Sequence, residues 1–331
     1  MVLKIVVIGL GSMGKRRIRL LKAINSSIVV YGVDKDNERC IQVSNEYKIK
    51  TYTNLSDVLC GMDTKPDAAI ISTSPLSHAV IIGECLAAGL DIFTELNLVS
   101  DKYEENIKQA ASKGKVLFLS STFLYRDEIQ YIWKKAENCN TILNYTYHVG
   151  QYLPDWHPWE DYREFFVGDK RTDGCREIFA IEFPWLQKVF GPIKNFNVIK
   201  GKSSLLDVDY PDTYHLLLYH ENGTMGSLQV DVVSRKAVRN LEIYSGDIYL
   251  LWDGTPEGLK LYNYETKKYE NIVLYDNVEH TEGYSKFVIE NAYQNELEAF
   301  LEEVSGRKAA KYSFEEDMET LRLIDMIEGK A

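Results

Sequence analysis

The stretch KIVVIGLGSMGKRRIRLLKAI, residues 4–24, constrains the fold more than any other part of the chain. KIVVIG is a β-branched run of the kind that forms a buried parallel strand. KRRIRLLKAI carries apolar residues at helical spacing. Between them lies the pattern G-x-G-x-x-G, spelled Gly9, Leu10, Gly11, Ser12, Met13, Gly14. Gly9 permits the tight turn, Gly11 lets backbone approach a pyrophosphate, and Gly14 lets the helix pack on the strand. The helix start then offers free N–H groups and partial positive charge to phosphates. A second strand is expected over SIVVYGVD, residues 27–34, ending in Asp34, 20 residues after Gly14. An acid there accepts hydrogen bonds from both adenosine ribose hydroxyls and repels a 2′-phosphate. The reading is NAD rather than NADP, tempered by Lys35, a cation able to tolerate that phosphate.

Strands and helices keep alternating up to about residue 125. NLSDVLCGM (54–62) is followed by PDAAIIST (66–73), SHAVIIGECLAAG (77–89) and LDIFTEL (90–96), then SDKYEENIKQAASKG (100–114) and KVLFLSSTFLY (115–125). Such alternation predicts an α/β fold with a doubly wound parallel sheet. Ligands of these sheets lie at the carboxyl ends of the strands. That points to Ser72, Thr73, Ser74 and Pro75 after one strand and to Glu95, Leu96 and Asn97 after the next, with Tyr125 and Arg126 ending the last.

Near residue 140 the period changes. TILNYTYHV (141–149) alternates, with Asn144, Thr146 and His148 on one face and Leu143, Tyr145 and Tyr147 on the other. TYHLLLYHENGTMGSLQVDVV (213–233) reads as two strands joined by an Asn-Gly turn. NLEIYSGDIYLLWDG (240–254) and GLKLYNYETKKYENIVLY (258–275) look like further hairpins, and 293–306 and 313–329 like helices. The expected layout is a nucleotide-binding domain over 1–125. A second α+β domain over 126–331 would carry an open, mostly antiparallel sheet, and the last helices could pack back on the first domain. The open face would line a substrate site or join a second subunit.

Net charge is −11, which disfavours nucleic acid and anionic membranes as partners. No apolar run approaches the ~20 residues of a membrane span. The five cysteines form no C-x-x-C pair, so a disulfide framework and a structural zinc site are not expected, and a cytoplasmic setting fits. MVLKIVVIGLGSMGKRR is not a signal peptide, because its charges follow the short apolar run.

With IGLGSMGKR (8–16), PDAAIISTSPLSHAVIIGECLAAGLDIFTELNL (66–98) and the two-domain layout in place, the chain resembles the Gfo/Idh/MocA family, that of glucose–fructose oxidoreductase and inositol 2-dehydrogenase. The resemblance implies hydride transfer between a nicotinamide cofactor and a sugar, polyol or similar substrate. It also implies cofactor contacts for Thr73, Ser74, His78 and Glu95, and dimers or tetramers through the open sheet. It departs from the family at two places. The family's strand-end Glu-Lys-Pro is here Glu95, Leu96, Asn97. Its later Asp and His, four residues apart, fall on Glu177 and Ile181 within GCREIFAIEFPWLQKVFGPI (174–193).

Alcohol oxidation needs a base, and leucine and isoleucine cannot serve. GQYLPDWHPWEDYREFF (150–166) supplies functional side chains among Trp156, Trp159 and Tyr162, a composition suited to a sugar. The candidate catalytic residues are therefore His157, with Asp155 or Glu177 as its orienter, Glu177 itself as base, and Arg163 as a substrate holder. No metal ligand set with a recognised spacing occurs. Two alternatives remain open: a non-catalytic NAD-binding sensor or partner protein, and a redox-neutral enzyme that uses bound NAD to cleave glycosides.

Overall fold

The computed structural model describes residues 2–60, 65–158, 160–278, 287–307 and 309–330. Two compact units emerge, one from 1–121 with 293–321 and the other from 122–292 with 322–331.

In the first unit the chain alternates as its periodicity predicts: β1 (Lys4–Ile8), α1 (Ser12–Ile24), β2 (Val29–Val33), α2 (Asn37–Tyr47), β3 (Lys50–Tyr52), α3 (Leu55–Cys60), β4 (Ala68–Ile71), α4 (Pro75–Ala87), β5 (Asp91–Thr94), α5 (Tyr103–Lys113) and β6 (Leu117–Leu119). All six strands are parallel in the order β3-β2-β1-β4-β5-β6. β1 and β4 are apolar along nearly their whole length, because helices cover both faces of such a sheet. The order reverses between β1 and β4, so the carboxyl ends of those two strands form the switch point where such sheets bind ligands.

The second unit opens with α6 (Asp127–Glu137), β7 (Asn144–Gly150) and α7 (Gly174–Phe190), and continues through β8 (Ile193–Gly201), β9 (Thr213–His220), β10 (Met225–Asp231), β11 (Val238–Tyr244), β12 (Tyr249–Trp252), β13 (Lys260–Asn263) and β14 (Lys268–Asn271). α8 (Glu290–Val304) and α9 (Phe314–Glu328) close the chain. The eight strands run β14-β13-β12-β11-β7-β10-β9-β8. Every pairing is antiparallel except β7 with β10. The Asn-Gly turn lies where the sequence predicts it, with Gly223 at φ +91° between β9 and β10.

Alternation sets the two faces of this sheet. Tyr145, Tyr147, Tyr214, Leu216, Leu228, Val230, Leu241 and Leu250 are buried, on the side of α7. α7 itself buries 13 of its 17 residues, Pro184 among them. Burial on so many sides leaves only a narrow polar stripe to mark the helical period, and neither α7 nor β8 is among the elements expected from sequence pattern. On the opposite face Ile199, Leu217, Tyr219, Met225 and Tyr244 are exposed.

Candidate functional site

The glycines of the first loop behave as their pattern demands. A Cβ on Gly14 would stand 1.9 Å from the Gly9 carbonyl oxygen, and Gly9 has φ +89°. Gly11 differs: a Cβ there would meet nothing within 4 Å. Gly11 is also the N-cap of α1, where no side chain caps the helix and no acid occupies the first turn. A helix start therefore faces open space with its amides uncapped, beside exposed Ser12 and partly exposed Met13. This fits a pyrophosphate.

Asp34 follows the last residue of β2 and is 9% exposed. Its Oδ2 accepts from the Leu10 amide at 2.8 Å and its Oδ1 from the Asp36 amide at 2.9 Å. The carboxylate thus braces the glycine loop. Arg39 Nη1 also donates to Oδ2, at 3.2 Å. Lys35 beside it is exposed.

At the end of β4, Thr73 and Ser74 lead into α4. Ser74 is the N-cap and makes no side-chain cap, and Pro75 supplies the first helical turn without an N–H to satisfy. Thr73 Oγ1 lies 2.7 Å from Ser77 Oγ. His78 is 1% exposed. Its Nε2 donates to the Thr73 carbonyl at 2.9 Å, and its Nδ1 lies 2.6 Å from the Asn97 side-chain amide. Burial lowers the His78 pKa, which favours the neutral ring. His78 and Asn97, both buried, thereby position the β4 end against the β5 end, and neither presents a polar tip to solvent.

Glu95 has a partner that sequence reasoning missed. Arg17, fully buried, grips it with Nε on Oε1 at 2.7 Å and Nη2 on Oε2 at 3.0 Å. The same guanidinium donates to Glu296 Oε2 at 2.8 Å and lies 4.4 Å from the centre of the Phe93 ring. Burial works against its charge, but the two carboxylates more than compensate and raise its pKa. Ser72 Oγ adds a bond to Glu95 at 3.3 Å. Glu95 is held by Arg17 in an internal ion pair. Arg17 belongs to the KRR run after the glycines. That run is expected to begin a helix, and Arg17's partner Glu296 lies 279 residues away. Leu96 is partly exposed.

In the second unit Glu177 lies in the first turn of α7. Asp173 caps that helix by accepting from the Arg176 amide at 2.8 Å. Arg176 anchors the turn to Glu328 and Asp325 of α9 at 2.6 and 2.8 Å. Burial, reinforced by the nearby Glu328 charge, pushes the Asp173 carboxyl up to about 7. Glu177 is not part of this network. Its Oε2 is buried and accepts no hydrogen bond from any described residue. Burial alone pushes its carboxyl up to about 8. One turn on, Ile181 is also partly accessible, so the two share a stripe on an otherwise buried helix.

His157 follows a 3-10 turn at Leu153–Asp155. Its Nδ1 lies 3.1 Å from Glu160 Oε2, so the neighbouring carboxylate is Glu160 rather than Asp155 or Glu177. Its ring tilts over Phe165, centroids 4.3 Å apart. Arg163 is exposed and forks onto Asp161, with Asp207 3.7 Å away. Tyr162 Oη accepts from the Asp207 amide at 3.0 Å. Trp159 lies outside the described residues. Arg126, at 2% exposure, pairs with Glu128 and two backbone carbonyls. Among the described residues no group of three His, Cys, Asp or Glu side chains is arranged to hold a metal, and no helix is long and apolar enough to cross a membrane.

The glycine loop, the 3-2-1-4-5-6 strand order and the acid at the end of β2 define a dinucleotide-binding protein with a second, large-sheet unit. Residues 3–121 match the sequence model of the Gfo/Idh/MocA oxidoreductase family, NAD-binding Rossmann fold. No curated protein matches the sequence. Solved structures share the fold over almost the whole chain. Levoglucosan dehydrogenase in complex with NADH is 15% identical with a TM-score of 0.81, covering 99% of this chain and 96% of its own. GenD2 from gentamicin A biosynthesis, in complex with NAD, is 16% identical with a TM-score of 0.77, covering 99% and 94%. A UDP-N-acetylglucosamine 3-dehydrogenase from Acidithiobacillus ferrooxidans is 17% identical with a TM-score of 0.75, covering 99% and 97%.

Proposed function

We propose that the protein is a cytoplasmic, NAD-dependent dehydrogenase or reductase that moves a hydride between nicotinamide and a sugar, sugar-acid or polyol-like alcohol. The first unit would hold the dinucleotide through Gly9, Gly11, Ser12, Met13, Gly14, Asp34 and Lys35, with Thr73, Ser74, His78, Glu95 and Asn97 shaping the nicotinamide end. Two structural neighbours named as levoglucosan and UDP-N-acetylglucosamine dehydrogenases support the substrate class, and two that carry NAD or NADH support the cofactor.

The single observation that carries the catalytic reading is Glu177, a carboxylate with a buried, unpartnered oxygen and an ionisation pushed up to about 8. Bound NAD supplies a hydride acceptor. With the cofactor bound, Glu177 in its ionised form would take the alcohol's hydroxyl proton during oxidation and return it during reduction. A base near the working pH can both take and return that proton. His157 with Glu160 is a second proton-handling pair, and Arg163 with Asp161 offers both donors and acceptors to hydroxyl groups. Homodimers or homotetramers would form through the sheet face that carries Ile199, Leu217 and Met225.

The test is a panel of sugars, sugar acids and polyols with NAD at pH 9, where Glu177 is ionised, followed by NADH absorbance. Glu177→Gln should lower kcat/KM by about 10²–10⁴-fold and His157→Ala by less. A substrate turned over equally by wild type and Glu177→Gln removes Glu177 from the mechanism. A second reading, a non-catalytic NAD-binding sensor, draws on apolar Leu96 and Ile181 where the family carries proton-handling residues. It gains if dinucleotide binds with no turnover across the panel.

A further inference from the structure

We infer that the substrate is an anionic carbohydrate and that Arg235 grips its carboxylate or phosphate; the inference rests on the sugar-dehydrogenase reading above. The chain carries a net charge of −11, so it repels an anion except where a cation is left unmatched. Four other arginines of the second unit are matched with carboxylates: Arg126 with Glu128, Arg163 with Asp161, Arg176 with Glu328 and Asp325, and Arg239 with Glu182. Arg235 has neither a hydrogen bond nor an ion pair among the described residues. It is exposed yet held in place, with its guanidinium 4.0 Å from the centre of the Tyr152 ring. A guanidinium held through its face keeps its five N–H donors, which lie in its plane, for a ligand.

The backbone under Arg235 is fixed. Asp231, at the end of β10, accepts at Oδ1 from the Val233 and Ser234 amides at 3.0 and 2.8 Å. Its Oδ2 accepts from Ser234 Oγ at 3.0 Å and lies 2.7 Å from His148 Nε2. The acid nearest to Arg235 in sequence is thus spent on the turn. The Gln151 amide donates to the Asp231 carbonyl at 3.3 Å and the Leu153 amide to the Val232 carbonyl at 2.9 Å. These two bonds splice the turn onto the start of 150–166, the segment whose composition suits a sugar, and Tyr152 lies between them. The same pieces seat the helix that carries Glu177. A Cβ on Gly174, the first residue of α7, would stand 2.9 Å from Leu153 Cδ1 and 3.0 Å from Val232 Cγ1. Arg235 stands three residues beyond that valine. A guanidinium takes a carboxylate or a phosphate through two parallel N–H···O bonds. The fork of Arg163 already closes on Asp161, so Arg235 is the better holder of an acidic substrate.

The experiment is calorimetric titration of the NADH-loaded full chain with glucose, gluconate, glucuronate and a hexose phosphate, for wild type, Arg235→Gln and Arg235→Lys. NADH absorbance then follows turnover of the same probes. At least one anionic probe should bind wild type about tenfold more tightly than glucose, or better. A preference for the acids over the phosphate, or the reverse, identifies the group. Arg235→Gln should erase the margin while glucose binding holds. Arg235→Lys should recover part of it, because an ammonium keeps the charge and loses the fork. For a probe that is turned over, the change should fall on KM rather than kcat. The inference is overturned if glucose binds as tightly as every anion or if no anionic probe binds at millimolar concentration. It is also overturned if Arg235→Gln, folded as judged by circular dichroism, keeps the anion preference. Arg235-dependent anion binding with no hydride transfer from or to any probe keeps the anion site and overturns the dehydrogenase reading beneath it.

Discussion

Replacing Glu177 by glutamine removes a carboxyl group whose ionised form is disfavoured by burial in the second unit. Its ionisation moves from the ordinary 4.5 to about 8 by burial alone. A group raised in this way contributes full stability below its unfolded pKa and loses it as pH climbs toward the folded one. Between pH 4.5 and 8 wild type should lose stability that the glutamine variant keeps. At ~1.36 kcal/mol per pH unit the interval gives an upper value of about 5 kcal/mol above pH 8 and about 3 kcal/mol at pH 7. The assay is built into the chain, since all five tryptophans (Trp133, Trp156, Trp159, Trp185 and Trp252) belong to residues 122–292, so their fluorescence follows the second unit during urea unfolding. The two proteins should unfold at nearly the same urea concentration at pH 5. They should separate progressively at pH 7 and pH 9, with the variant the more resistant. Parallel pH profiles would refute the reasoning, because Glu177 would then be solvated or paired in the native state.

Arg17→Met leaves Glu95 and Glu296 without their cation; a loss of about 3–5 kcal/mol is expected in chemical unfolding of the first unit, partly restored when Glu296→Gln is added. Gly14→Ala forces a Cβ to 1.9 Å from the Gly9 carbonyl, so it should abolish NADH binding and lower the melting temperature. Leu217→Asp, at a site 62% exposed on the open sheet face, should convert an oligomer to monomer in sedimentation velocity without changing the melting temperature of the monomer.

What the sequence discloses is what local chemistry decides. The glycine loop, the strands around it and the Asn-Gly hairpin each write their geometry into a few neighbouring residues. α7 hides because burial on most sides leaves only a narrow polar stripe to carry the 3.6 period, and Pro184 inside it argues against a helix. Among candidate site residues, Glu177 is reachable only through the resemblance, because nothing local marks a carboxylate without a partner. Arg17 with Glu296 is illegible for the opposite reason: the partners are joined only by the fold.

The one parallel pair among the described strands of the second sheet, β7 with β10, also bears on how the chain is made. Asn144 pairs with Met225, 81 residues later, and the other edge of β7 waits for β11, later still. At ~5–20 residues per second a ribosome would deliver β7 roughly 4–16 s before either neighbour. During that interval its edges are unpaired and open to other chains. α7 emerges earlier than those strands, and Tyr147 donates to Glu182 of that helix at 2.7 Å. The almost wholly buried helix thus has an apolar strand face to shelter before the sheet exists, and a nascent chain truncated before residue 190 would lose that shelter and should aggregate.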